Sequence, residues 1–302
     1  MNESVGPIPR PAAKSLRILV TGVRGQQGGH VARHLLSRGH RVRGLARKSD
    51  DPAFKELRSR GVEIVEGGFD DPAVIERSAR EVDGMFLMGT SFEGGPETEK
   101  RQGIRAVDAA KAAGVPWLVY SSVSDANHHT GIPHFESKYA VEQHLGNSGM
   151  AYAISAPTSF MENFRASFQL PSLRQGKLAA GVSPERPVQM VALDDLATFV
   201  THILENPTHF KGKRINVASD ELNETDVART ITELSGRKIE YQQIPAEILR
   251  AQNADLAKMY EWFERGGYTA DIEGLRREYP GVGWQRFREW ASHQDFARLL
   301  AT

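Results

Sequence analysis

The sequence predicts an α/β protein: a doubly wound parallel sheet with a smaller C-terminal α/β substrate lobe. Three observations carry that expectation. Short β-rich runs alternate with longer helical patterns from Arg17 to Ser122. A glycine-rich turn directly follows the first run. Beyond Ser155 the alternation gives way to prolines, helices and isolated short strands. Strict β-α-β-α alternation implies parallel strands, right-handed crossovers and helices on both faces.

Arg17–Thr21 (RILVT) is an apolar run of strand length. Gln26–Gly39 sets Val31, Leu35 and Leu36 on one helical face and stops at Gly39. Arg41–Ala46 is the second strand. Asp51–Gly61 is a helix with Pro52 in its first turn, where a missing N–H costs nothing. Val62–Glu66 is the third strand, and Asp71–Arg80 repeats the Asp-Pro helix start. Val82–Gly89, the helix Thr98–Gly114 and the strand Pro116–Ser122 complete the alternation.

A helix over His134–Gly149 and a strand over Ala151–Ser155 follow. Pro157, Pro171, Pro184 and Pro187 break the stretch 156–187 into short helix and loop. Asp194–Asn206 is a helix with Asp194 as its cap. Arg214–Ala218 is a strand, Glu224–Gly236 a helix and Lys238–Ile244 a short strand. Phe160, Phe164 and Phe168, spaced by four, predict one helical face. Trp262, Trp284 and Trp290 are expected in the lobe core, with Tyr260 and Phe263 as candidates to close a pocket. The division expected is a tail over 1–15 and a dinucleotide-binding domain over 16–155, to which 188–218 returns. A lobe over 156–187 and 219–302 then covers the carboxyl edge of the sheet, where ligands of such sheets bind.

Composition narrows the function. The 302 residues are 40% hydrophobic and 25% charged, which is unlike disordered or collagen-like chains. Lys+Arg and Asp+Glu are both 38, so no basic excess points to nucleic acid. No apolar run approaches the roughly 18–20 residues of a membrane span. There is no cysteine, hence no disulfide and no thiolate chemistry. Residues 1–14 hold three prolines and no apolar segment, which reads as a tail or tag scar rather than a signal peptide. A cytoplasmic protein is the expectation.

The strongest motif is Gly22-Val-Arg-Gly25-Gln-Gln-Gly28, G-x-x-G-x-x-G between a strand and a helix. Glycines permit the turn and let the backbone approach a pyrophosphate, whose charge meets the helix N-terminus. A plain glycine turn is the alternative; the strand–turn–helix context favours the Rossmann reading. The end of the second strand selects the cofactor. NAD sites usually hold an acid there, but here Arg47 and Lys48 stand where a 2′-phosphate would sit, and Arg24 adds a guanidinium. A solvated basic turn is the other reading. NADP(H) is favoured over NAD(H).

Gly22–Gly28, Arg47, the HFESK segment at His134–Lys138 and PTSFMENF at Pro157–Phe164 together resemble the NmrA-like family of atypical short-chain dehydrogenase/reductase proteins. The resemblance runs from about Arg17 to the C-terminus and includes DIEGLRREYPGVGWQRFREW at Asp271–Trp290. It implies an NADP-binding fold and a C-terminal lobe for substrate or partner. It does not imply one activity. Some members reduce quinones, dyes or small carbonyl and aromatic compounds; others sense dinucleotide and dock onto transcription regulators.

By the family motif, Gly22, Gly25, Gln26, Gln27 and Gly28 would hold the pyrophosphate, and Arg47 the 2′-phosphate. Gly68 and Phe69 would lie beside the adenine, although many relatives carry an acid at position 68. Gly89, Thr90 and Ser91 would border the ribose. Lys138 would reach the nicotinamide ribose, and Phe160, Met161, Glu162 and Asn163 would flank the nicotinamide and substrate. Ser122 falls where the family places a substrate-polarising hydroxyl.

Active relatives with the common dehydrogenase chemistry use Tyr-x-x-x-Lys, in which the lysine lowers the tyrosine pKa for proton transfer. Here the spacing gives His134-Phe-Glu-Ser-Lys138, with histidine in place of tyrosine. An imidazole can donate a proton to a developing alkoxide; the alternative is a helix-start residue with no part in chemistry. Tyr139 lies about 100° around the helix from Lys138 and is a poor replacement. His128, His129 and His134 match no common zinc spacing, so no metal is expected. No G-x-S-x-G elbow supports a hydrolase.

The expected function is NADPH-dependent reduction of a small quinone, carbonyl or other unsaturated compound. The alternative is a non-catalytic NADP(H) sensor that binds a partner protein. A cofactor-assisted isomerase or epimerase ranks third, because the tyrosine is missing. The expected partners are a small-molecule substrate and, for the sensor, a protein; a homodimer stays open, and nucleic acid and membrane are not expected.

Overall fold

The structure, a computed structural model, describes residues 15–47 and 53–301. The tail up to Lys14, the site candidate Lys48 and the Asp51-Pro52 helix start lie outside the described residues.

The first half alternates β1 (Arg17–Val20), α1 (Gln26–Ser37), β2 (Arg41–Ala46), α2 (Ala53–Ser59), β3 (Glu63–Glu66), α3 (Pro72–Ala79), β4 (Gly84–Met88), α4 (Pro96–Ala112), β5 (Leu118–Ser121), α5 (Pro133–Asn147) and β6 (Tyr152–Pro157). Then come β7 (Ser159–Phe160), α6 (Leu170–Arg174), β8 (Lys177–Ala180), β9 (Pro187–Val191), α7 (Leu193–Glu205), α8 (Pro207–Phe210), β10 (Arg214–Val217) and β11 (Asp220–Asn223). The chain ends with α9 (Glu224–Ser235), β12 (Glu240–Gln243), α10 (Ala246–Gln252), α11 (Ala254–Arg265), α12 (Ile272–Glu278), α13 (Phe287–Ser292) and α14 (Phe296–Ala301).

Seven strands form one parallel sheet in the order β10-β6-β5-β4-β1-β2-β3. Side chains alternate across it, as a strand's period of two requires. In β1, Ile18 and Val20 face a cluster with Val31, Leu35, Phe86, Phe199 and Ile203. Leu19 faces the opposite cluster with Ile75, Met85, Val107, Leu118 and Val141. Both faces are therefore buried, which is why the strands read as continuous apolar runs. β10 joins the sheet's edge beside β6, Arg214 opposite Ile154. Two smaller sheets, β11-β9-β7 and β12-β8, belong to the later segments. They pack around Met161, Leu178, Met190, Ile231, Phe287 and Trp290.

Three expectations change. Phe160, Phe164 and Phe168 do not share a helix face. Phe160 ends β7, Phe164 lies in a 3-10 turn over Met161–Arg165 and packs on Phe287 at 5.3 Å, and Phe168 is exposed. Trp284 packs on Phe199 of α7 at 5.6 Å, in the core of the large sheet rather than of the lobe. Asp194 is not a cap: α7 begins at Leu193, and Asp194 instead meets His30 of α1 at 2.6 Å. The backbone N–H of Leu193 donates to the Glu162 carboxylate at 3.1 Å. That acid arrives from 31 residues earlier and does the work of a local cap.

α9 follows the expected start, with Asn223 accepting from the Asp226 N–H at 2.8 Å. Its first residue, Glu224, is half-buried, but its Oε2 is fully covered and has no hydrogen-bond partner among the described residues. Burial pushes this carboxyl from its ordinary 4.5 up to about 7. The folded state therefore binds the proton more tightly than the unfolded chain. Stability falls as pH rises from about 4.5 through about 7 and stays lower above. Glu224→Gln should remove this slope and unfold at higher urea than the native protein at pH near 8, by up to about 3 kcal/mol. Equal unfolding midpoints at that pH would show that the carboxyl is solvated.

Candidate functional site

The carboxyl ends of β1, β2, β4 and β5 converge with α1 and α5 on one edge of the sheet. The glycine turn sits at its centre. Gly22 takes φ +63°, a conformation that disfavours side chains, and a Cβ on Gly28 would lie 2.4 Å from the Gly22 carbonyl oxygen. Glycine is therefore sterically required at both positions. The turn closes through Gly25 N–H to Gly22 O at 2.8 Å. At the start of α1, Gly25 offers no side-chain cap and the first turn contains no acid. Its N–H groups and the positive helix end thus face a space that suits an anion. Gln26 and Arg24 are exposed beside it, whereas Gln27 is buried and donates through Nε2 to Ser121 Oγ at 2.7 Å, tying the turn to β5. Thr21 ties it to β4: its hydroxyl donates to Met88 O at 3.0 Å and accepts from Met88 N–H at 2.8 Å.

Arg47 follows β2. Its stem passes over Gly68, where a Cβ would lie 3.2 Å from the Arg47 Cγ, and its guanidinium meets Glu93 at 2.8 Å. Glu93 lies in the loop that follows β4 and carries Thr90 and Ser91. Thr90 Oγ1 accepts the Phe92 N–H at 3.3 Å and Ser91 O the Gly95 N–H at 2.8 Å, so both shape that loop. Phe69 packs beside Leu87, Gly89, Glu99 and Tyr120.

Lys138, on α5, places Nζ 2.6 Å from Glu99 Oε1 and 3.4 Å from Gly89 O. The second Glu99 oxygen accepts from Ser137 Oγ at 2.7 Å, and the acid is 2% exposed. Burial holds the neighbouring Tyr120 hydroxyl pKa well above its ordinary value, and Glu99 adds to the shift. Ser122 Oγ is buried with no hydrogen-bond partner among the described residues. His134, one turn before Lys138, places Nδ1 2.6 Å from Asp255 of α11.

The structure thus gathers Gly22, Gly25, Gly28, Gly89, Ser122 and Lys138 along one edge. Phe160 and Asn163 are half-buried where β7 leaves it. Met161 and Glu162 need correction as side chains that flank a nicotinamide. Met161 is fully buried in the lobe core. Glu162 accepts from Leu193 N–H and, at 3.0 Å, from Trp290 Nε1, and burial raises its pKa.

Sequence reasoning missed Glu93, Glu99 and Asp255. Glu99 left a signal: it lies in register with Gly103, Ala106 and Ala110 on the buried stripe of α4, where an unpaired acid would be costly. Among the described residues, no three His, Cys, Asp or Glu side chains are grouped to hold a metal, and no helix is long and apolar enough to cross a membrane.

A glycine cradle at an uncapped helix start, a cation after β2 and a held lysine define the class: a dinucleotide-binding α/β protein. The family model for the NmrA-like family matches residues 14–291, and the chain belongs to that family. It is 28% identical over 287 residues to a (4-alkanoyl-5-oxo-2,5-dihydrofuran-3-yl)methyl phosphate reductase of Streptomyces griseus subsp. griseus, covering 91% of this chain and 96% of the relative. Its fold is similar to that of the negative transcriptional regulator NmrA in complex with NADP, with TM-score 0.79, 20% identity and coverage of 96% and 98%. It is also similar to the NADPH-dependent quinone oxidoreductase QOR2 of Escherichia coli in complex with NADPH, with TM-score 0.77, 22% identity and coverage of 91% and 99%.

The Lys138–Glu99 pair yields a stability test. Glu99→Ala strands the lysine against buried surface and should cost about 3–5 kcal/mol in urea unfolding. The double variant Glu99→Leu/Lys138→Met should recover most of that loss, because two apolar side chains need no partner. A single-variant loss below about 1 kcal/mol would mean that the pair is solvated.

Proposed function

We propose that the protein is an NADP(H)-dependent reductase of a small carbonyl, quinone or other unsaturated compound. The observation that carries this reading is the Lys138 ammonium, fixed by buried Glu99 at the Gly89 carbonyl along the same edge as the glycine turn. A lysine held there suits the hydroxyls of a ribose. Membership of the NmrA-like family and the 28%-identical reductase support it.

When bound, the dinucleotide supplies the hydride. The chain supplies the rest. The N–H groups at the start of α1 would donate to the pyrophosphate oxygens, and Gly22 and Gly28 leave room for its approach. Arg47 would hold the 2′-phosphate on giving up its exposed Glu93 partner; that exchange would cost little, since exposed pairs are worth about 0–1 kcal/mol. Ser122 holds a hydroxyl with unused hydrogen-bonding capacity at the end of β5. The sensor remains the second reading, favoured by one feature: position 134 holds histidine where the common catalytic tyrosine would stand.

Purified protein should consume NADPH with at least one member of a panel of quinones, aromatic ketones, enones and azo dyes, followed by absorbance. Tight NADPH binding with no turnover across the panel would favour the sensor. Arg47→Ala should weaken NADPH roughly 10- to 100-fold, the worth of a charge-assisted contact, and leave NADH nearly unchanged. Equal losses for the two cofactors in a fluorescence titration would remove Arg47 from 2′-phosphate recognition.

A further inference from the structure

The contact between His134 and Asp255 lies outside the cofactor cradle. It joins the second residue of α5 to the first turn of α11 across 121 residues of sequence. Both side chains are largely buried, at 17% and 25% exposure. The imidazole also stands edge-on to Phe135, which packs against Trp262 and Tyr268. The ring is therefore held on two sides.

A carboxylate only accepts hydrogen bonds, so Nδ1 must carry the proton that it gives to Asp255. The other ring nitrogen, Nε2, makes no hydrogen bond among the described residues. Protonated, the ring presents one N–H there; neutral, it presents a lone pair. His134 and Lys138 are four residues apart, so they lie along one face of α5.

We infer that Asp255 is a positioning residue that holds His134 with Nε2 as the proton donor, and that the substrate class is a ketone or aldehyde. This rests on the reductase reading. The carbonyl carbon gains a hydride from NADPH, which is oxidised, and the C=O π pair moves onto oxygen. The oxygen takes the proton from Nε2, whose N–H bond pair stays on nitrogen. Neutral His134, still bonded to Asp255 through Nδ1–H, regains its proton from water. A quinone, whose reduced oxyanion is a weaker base, needs no such donor.

Two measurements test this. Nitrogen NMR of histidine-labelled protein at alkaline pH, with His134 signals identified by their loss in His134→Phe, should show the proton on Nδ1. Asp255→Ala should move it to Nε2. In kinetics, Asp255→Ala should lower kcat for a ketone about 10- to 100-fold with KM little changed, and leave quinone turnover intact. Asp255→Asn, which can still accept the Nδ1 proton, should recover most of the loss. In the His134→Phe background, Asp255→Ala should cost nothing more. A native His134 protonated on Nε2 overturns the proposal. So does an equal loss with ketone and quinone, or a further loss without His134. NADPH binding with no turnover of any substrate removes the reductase reading and the donor role with it; the NMR result still reports whether Asp255 fixes the ring.

Discussion

Glu99 sets where α5 lies against the sheet. Both of its carboxylate oxygens bind that helix, one through Lys138 and one through Ser137. The backbones can approach this closely because α4 carries Gly103 opposite Val141, where a Cβ would stand 2.5 Å from a valine methyl. Gly89 makes the matching allowance just after β4, since a Cβ there would crowd the Glu99 stem at 3.3 Å. One buried acid thus fixes a helix, a lysine and the exit of a strand. The glycine turn is registered to the same frame by Gln27 on Ser121 and Thr21 on Met88.

A second group of acids joins the lobe to the sheet, at the start of α7. Glu162 receives the Leu193 N–H and the Trp290 indole. Asp195 receives the Ser219 hydroxyl at 2.7 Å and both the backbone and the side-chain N–H of Gln285. Burial raises the pKa of both acids, and the hydrogen bonds oppose it. Negative charge at a helix N-terminus is favourable, so the same groups serve the helix and its junction with the later segments. This explains why Met161 and Glu162 stand close to the site in sequence yet turn their side chains into the lobe.

The parts legible in the sequence are those whose causes are local. Apolar runs of strand length, helix stops such as Gly39 and the glycine turn each need only a few neighbouring residues to be read. The paired acids were not legible because their partners are distant: Glu99 meets a lysine 39 residues on and Glu162 an amide 31 residues on. The same limit misled the reading of Asp194, a good cap by type in a helix whose first amide was already taken from afar. Phe160, Phe164 and Phe168 have helical spacing, but β7 draws Phe160 into a sheet with β9. Spacing cannot reveal a pairing whose partner, Val191, lies far along the chain.

The buried Lys138–Glu99 pair bears on what this edge of the sheet is for. Removing two charges from water is costly, and apolar side chains of similar volume often stabilise a fold as well or better. Stability alone therefore gives little reason for a charged pair on this face of α5. Position gives one: the acid directs the ammonium toward the Gly89 carbonyl, where an alkyl side chain would offer no donor. His134 repeats the arrangement one turn earlier, its acid supplied by α11. α5 thus presents two held nitrogen groups along one face, one fixed by the sheet domain and the other by the later helices. A histidine in place of tyrosine needs that second anchor, because a shorter, pivoting ring has two nitrogens to choose between, and only an external acceptor settles which of them holds the proton.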